Sequence, residues 1–325
     1  MAKNVSIGIS NFNIAPLDAL RWKAGRYMAF LQATGCAPLI EEGVAGYRGG
    51  GFTWNYINGK GHVAQRLAAD NAIQGLEQSW RTEQPRHVLQ AAQTGSILKV
   101  VKGATFILGL PGVEESLERL ETVQEAAGKK LPIVVHPNEQ RHDQTVPVRH
   151  INYGWLRDKK VFGNMLYQPT SDLLEGWGIT LPDRPTDNDI EAIANELVAV
   201  QGEHGFDGIA FDTHHANTVR GRRRPLPAPI ALVGHLAAQG AIHTVEVGFR
   251  PDLGGNREHL RSALSGNLET TPQGAMLRTV LQYRQPDQET RIVLEVPASA
   301  MPRGLEYQQG NQQLVGAIAQ LATAA

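Results

Sequence analysis

The sequence predicts an α/β chain folded as a single (β/α)8 TIM barrel spanning residues 1–325. Eight short runs rich in Val, Ile and Leu recur along it, polar segments with helical spacing separate several of them, and many runs end on ionisable side chains. Near-continuous apolar runs mark strands covered on both faces, as the strands of parallel sheets are. Barrels of this kind reach about 250 residues or more as one unit, so the length demands no second domain.

Taken in order, "NVSIGIS" is the first strand, followed by a helical pattern from Pro16 to Gln32. "CAPLIEE" is the second and ends on Glu41 and Glu42. A long glycine-rich insertion around residues 43–101 follows, containing "GVAGYRGGGFTWNYINGKG". It reads either as a cover over the barrel mouth or as a surface insertion without a role. "ATFILGL" is the expected third strand, with a helix from Val113 to Gly128, and "LPIVVHP" is the fourth, ending on His136 with Asn138 and Glu139 nearby. "GNMLYQP" is the fifth and delivers Gln168. The next helix, Asp187 to His204, has a Thr or Asp cap, acidic residues in its first turn and a glycine at its close. "FDGIAFD" is the sixth strand, leading to Asp212, His214 and His215. After a helix from Pro227 to Gln239, "IHTVEVG" gives Glu246, and "RIVLEVP" gives Glu295. A doubly wound sheet competes with the barrel, but the first turn, "GISNFNIAP", lacks the G-x-G-x-x-G that would hold a dinucleotide.

Charge and cysteine usage exclude several classes. With 31 basic and 32 acidic side chains the formal net charge is -1, so there is no global attraction to nucleic acid or an anionic membrane. The single Cys36 excludes an internal disulfide and a cysteine-based zinc cluster, and fits a reducing compartment. No signal-like or membrane-spanning apolar run is visible, so the expectation is a soluble cytoplasmic protein.

In a barrel, strand ends converge on one mouth, so Asp212, Glu246 and Glu295 are expected to meet there. Charged groups flanked by apolar strand residues need compensation. A divalent cation (Mg, Mn, Co or Zn) held by carboxylates and imidazole would supply it. Each residue also has a plain structural reading. Asp212 could cap a helix. His214 could be a loop histidine on the face opposite its neighbours, and His136 a rim hydrogen-bond donor. Glu246 and Glu295 could pair with Arg250 or Arg291.

"FDTHH", with Asp212 and His215 in the spacing Asp-x-x-His, "IVLE" ending at Glu295, and "VVHPN" together resemble the xylose isomerase-like TIM barrel superfamily, which contains sugar isomerases and epimerases and the endonuclease IV group. The resemblance implies that Asp212 and Glu295 are metal ligands and that His215 is a ligand or binds substrate. It also exposes departures. Epimerases of this type carry a glutamate where Gln168 stands and a histidine where Glu246 stands, and an amide cannot serve as a carboxylate base.

Arg222, Arg223 and Arg224 follow the presumed ligands in "RGRRRPLPAP", and Arg250 follows the seventh strand. Guanidinium groups match phosphate or carboxylate oxygens in two-point geometry, which favours an anionic small molecule; a solvated basic loop is the plain structural reading. The sequence therefore predicts a metal-dependent sugar or sugar-phosphate isomerase or epimerase. Its catalytic candidates are Glu295, His215 and His136, and its substrate-binding candidates are Arg222, Arg223, Arg224, Arg250 and Gln168. The alternatives are an endonuclease IV-like phosphodiesterase and a non-catalytic barrel with a small-molecule pocket. One basic patch without an extended basic surface argues against a nucleic-acid partner. A homo-oligomer stays open.

Overall fold

The computed structural model describes residues 4–10, 38–44, 97–100, 132–135, 164–203, 205–217, 225–249, 256–296, 300–302, 305 and 307–324. Eight strands form a closed ring: β1 (Val5–Ser10), β2 (Pro38–Val44), β3 (Ile97–Val100), β4 (Ile133–Val135), β5 (Met165–Tyr167), β6 (Gly208–Asp212), β7 (Ile242–Gly248) and β8 (Thr290–Glu295). Each pairs in parallel with the next, and β8 returns to β1 with Val5 opposite Thr290 and Ile9 opposite Leu294. The fold is TIM-barrel-like.

From β5 onward the expected alternation is present. The helices are α1 (Ser171–Gly176), α2 (Asp187–Glu203), α3 (Thr213–Asn217), α4 (Pro229–Ala238), α5 (Asn256–Leu264), α6 (Pro272–Tyr283) and α7 (Tyr307–Ala324). The helices expected at 16–32 and 113–128 lie outside the described residues, so the alternation is seen for the second half of the ring. No described helix is long and apolar enough to cross a membrane.

Sequence chemistry accounts for the boundaries of α2. Thr186 and Asp189 cap its start reciprocally: the Asp189 N–H donates to Thr186 Oγ1 at 3.3 Å, and the Thr186 N–H and hydroxyl both donate to Asp189 Oδ2 at 2.7 Å. The Thr186 hydroxyl and backbone donors hold the Asp189 carboxyl below its usual range. Past the end of the helix, Gly205 takes φ 82°, a left-handed value that suits glycine, and the Phe206 N–H returns to Gln201 O at 2.8 Å.

Side chains on a strand alternate between faces, and the alternation separates two apolar layers. Met165, Tyr167, Ile209, Phe211, Val245, Val247, Ile292 and Leu294 point outward into the main core with Leu197, Leu236 and Val280 of the helices. Tyr167 is fully buried there and donates its hydroxyl to Leu197 O at 3.1 Å. Burial pushes its pKa well up. Val134, Leu166, Ala210 and Val293 form a separate small cluster inside the ring.

One strand position differs from the sequence expectation. The place between β2 and β4 is taken by Ile97–Val100, whereas "ATFILGL" lies outside the described residues. Apolarity alone favours the longer run, but ring membership is decided by pairing, and "ILKV" pairs with both neighbours. Gly43 and Val44 likewise complete β2, so the stretch assigned to the insertion begins and ends in strand.

Candidate metal centre

The interior cluster identifies the face on which the site is built. Asp212 lies two residues beyond Ala210 on β6, and Gln168 lies two beyond Leu166, so both project into the ring at its C-terminal end. Glu246 is the Cα partner of both Asp212 and Val293, and Glu295 lies two residues beyond Val293. Strand period and register therefore direct three carboxylates to one place. Their ligand-capable oxygens lie within 4.8 Å of one another; Asp212 and Glu246 are buried and Glu295 is half-buried.

Gln168 joins this group as a donor. Its Nε2 donates to Asp212 Oδ2 at 3.0 Å and to Glu246 Oε2 at 2.9 Å. The amide is 1 % exposed. Carboxylates only accept, so the amide must present its NH2 to them.

Asp212 divides its two oxygens between structure and site. Oδ1 accepts from the His214 N–H at 2.7 Å and the His215 N–H at 3.1 Å, capping α3. Oδ2 faces Gln168, and His215 Nδ1 stands 3.6 Å from it. The structural and functional readings of Asp212 are thus compatible. For His214 the expectation of an extended strand is corrected. The chain turns helical at Thr213, and His214 is buried, its Cβ so close to Gly248 that a methyl group there would stand 2.8 Å away. The cap drives that turn. Two supports went unnoticed in the sequence. Thr213 Oγ1 donates to Glu246 O at 2.9 Å, tying α3 to β7, and Gly248 leaves room for the histidine ring. A Thr next to a capping Asp was the available signal.

Repulsion sets the scale of the problem. Two carboxylates at this separation repel by about 3 to 4 kcal/mol at an effective dielectric near 20. Three such pairs together rival the whole stability of a typical domain, about 5 to 15 kcal/mol. The Gln168 donors offset part of this. A cation coordinated by all three would replace each repulsion with an attraction, and three carboxylates are a donor set suited to a hard divalent ion. The acidic triad could hold a metal ion, and the residues present fit one.

Arg291, considered as a partner for the glutamates, pairs instead with Glu289, Nη2 to Oε2 at 2.7 Å. His136, Arg222, Arg223, Arg224 and Arg250 lie outside the described residues, as do Asn138 and Glu139. Glu41 is placed by register opposite Ser10 and Ile97.

No family model and no curated protein matches the chain. Among solved structures it is similar to the crystal structure of SacUVDE, with TM-score 0.46 and 9% identity over 99% of this chain and 98% of that one. It is also similar to Yersinia pestis DHPS with a pterine-sulfa conjugate, with TM-score 0.32 and 11% identity over 99% of this chain and 93% of that one.

Proposed function

We propose that the chain is a (β/α)8 enzyme whose Asp212, Glu246 and Glu295 hold a divalent cation, and that it isomerises or epimerises a sugar or sugar phosphate by proton transfer next to a carbonyl. The convergence of three carboxylates from β6, β7 and β8 carries this reading. The oxygen donors favour Mg or Mn over Co or Zn. A bound cation would polarise a substrate carbonyl or hydroxyl. Asp212 orients its ligating oxygen by spending the other on the α3 cap. Gln168 holds Asp212 and Glu246 in register. His215, with Nδ1 3.6 Å from Asp212 Oδ2 and its side chain 15% exposed, would move a proton at the mouth. Arg222, Arg223, Arg224 and Arg250 would bind the anionic group, and His136 would assist from the fourth strand.

Gln168 favours a second reading. The two-carboxylate proton shuttle of the epimerases needs a base on the fifth strand, and an amide is not one. Metal-assisted hydrolysis of a phosphodiester needs no such base, because a cation can activate water and arginines can hold phosphate.

Titration calorimetry of the protein with Mg, Mn, Co and Zn tests the centre. Assays with sugar phosphates and with abasic or single-stranded oligonucleotides, each with metal added, separate the two chemistries. Binding of none of the four ions near neutral pH would end both.

A further inference from the structure

The pairing of β6 with β7 ends at the candidate ligands themselves. Asp212 is the Cα partner of Glu246, and at Thr213 the chain leaves the sheet for α3. β7 runs on through Val247 and Gly248, which stay paired with Leu294 and Glu295 of β8. One more rung of the parallel ladder would set Thr213 opposite Val247, with the Thr213 C=O accepting from the Gly248 N–H. A helical residue points its C=O along the helix axis instead, so the turn into α3 takes that acceptor away from β7.

The Thr213 side chain supplies the acceptor. Its Oγ1 accepts from the Gly248 N–H at 3.4 Å and donates to Glu246 O at 2.9 Å. A hydroxyl can do both at once, which neither a methyl group nor a carbonyl can. Thr213 is fully buried, so these bonds do not compete with water. Gly248 permits the approach, because a Cβ there would stand 2.8 Å from His214 Cβ. On the other side of β7 the Phe249 N–H donates to Glu295 O at 3.1 Å.

The tie is made entirely at the carboxylate cluster. Thr213 directly follows Asp212, one atom that it bonds belongs to Glu246, and the other belongs to the Cα partner of Glu295. We propose that Thr213 is a positioning residue of this site, whose hydroxyl fixes the backbone of Glu246 against that of Asp212 and so sets the spacing at which their carboxylates meet a cation. The Asp212 carboxylate closes α3 through the His214 and His215 N–H groups, and the next side chain closes the sheet. The effect on cation affinity rests on the metal reading of the triad, whereas the tie itself is present without a cation.

Thr213→Val keeps the shape of the side chain and removes the hydroxyl. Groups that hydrogen-bond to metal ligands are typically worth about 10- to 100-fold in affinity, so calorimetry on the fully folded variant should show Mg binding weakened by roughly tenfold or more. Mg demands near-ideal octahedral geometry and Ca tolerates irregular sites, so Ca affinity should fall less than Mg affinity. Thr213→Ser, which keeps the oxygen, should recover Mg binding. Amide hydrogen exchange gives a reading that needs no metal: the Gly248 N–H should exchange faster in Thr213→Val than in the wild type or in Thr213→Ser. If Thr213→Val does not fold, Thr213→Ala, which adds no atom, takes its place in both measurements. Unchanged Mg affinity, an equal loss for Mg and Ca, or unchanged exchange at Gly248 would overturn the proposal. Should the wild type bind neither ion, the metal reading fails, and exchange at Gly248 alone decides whether Thr213 holds Glu246 against Asp212.

Discussion

Asp212 and Glu246 stand directly opposite one another as Cα partners of β6 and β7, and the amide of Gln168 spans both carboxylates at 3.0 and 2.9 Å. Like charges opposite one another on paired strands are unfavourable, and a single NH2 group offers one N–H to each. The glutamine therefore acts as a neutral clasp. It allows two buried carboxylates to share a site in the protein as folded, before any cation arrives.

Gln168→Glu tests the clasp. Replacing the donor with a third buried carboxylate at this point removes two hydrogen bonds to charged groups and adds repulsion. The metal-free protein should lose about 3 kcal/mol or more of stability, measured by denaturant unfolding. Added Mg or Mn should recover a larger share of stability in the variant than in the wild type, because binding to the folded state alone stabilises it. Equal stability of the two metal-free proteins would show that the amide is not compensating the pair.

Asp212 carries two roles that substitution can separate. Asp212→Asn keeps a side-chain oxygen for the cap on α3 and removes the charge; Asp212→Ala removes both. Calorimetry should show weaker cation binding in both variants. Unfolding should show the alanine variant less stable than the asparagine variant by about 1 kcal/mol, the usual worth of an N-cap. Undiminished cation binding in the asparagine variant would remove Asp212 from the ligand set.

The strands from β5 to β8 were legible because their apolar runs are bounded by turn residues and end on polar groups, and the structure places each within two residues of its expected ends. The meeting of Asp212, Glu246 and Glu295 followed from strand period once a ring was assumed. Gln168 was legible only as a departure from the resemblance. A neutral amide announces nothing in a sequence, and its role emerged when register set it against two carboxylates. His214 was misplaced because period-two reasoning continued the strand past a residue whose side chain caps a helix. The third strand was misplaced because local apolarity cannot say which of two nearby runs finds partners.

His243 gives a pH signature at the other end of the ring. It sits where the β6–β7 register shifts between Ile209 and Ala210, with its ring edge packed over Gly208. Burial first, and then the Arg291 charge, lower its pKa below the ordinary 6.5, against the smaller opposing pulls of Asp207 and Glu289. The unfolded chain then binds the proton more tightly than the folded one. The stabilising effect of the neutral ring is complete above about pH 6.5 and is lost as pH falls through the depressed folded value. The stability difference between wild type and His243→Gln should therefore shrink as pH falls below 6.5. A difference that stays constant from pH 7.5 to about 5 would contradict the lowered value.

The arginines after β6 supply the last prediction. α3 ends at Asn217, and the Leu226 N–H donates to Ala216 O at 2.9 Å. In the sequence Arg222, Arg223 and Arg224 follow Asp212 by ten to twelve positions. The proposal is that they recognise an anionic group on a small substrate whose reacting atoms lie by Asp212 and His215. A charge-assisted contact contributes about 1.5 to 3 kcal/mol, so losing one weakens binding by roughly tenfold or more. Replacing all three with glutamine should weaken an anionic ligand at least that much and leave cation affinity largely unchanged. The ligand is found first, by screening sugar phosphates and sugar acids for thermal stabilisation. A neutral best ligand with unchanged affinity in the triple variant would assign the arginines to a solvated loop. Preference for an abasic or single-stranded oligonucleotide, with affinity falling steeply as salt rises, would favour the phosphodiesterase reading over the isomerase.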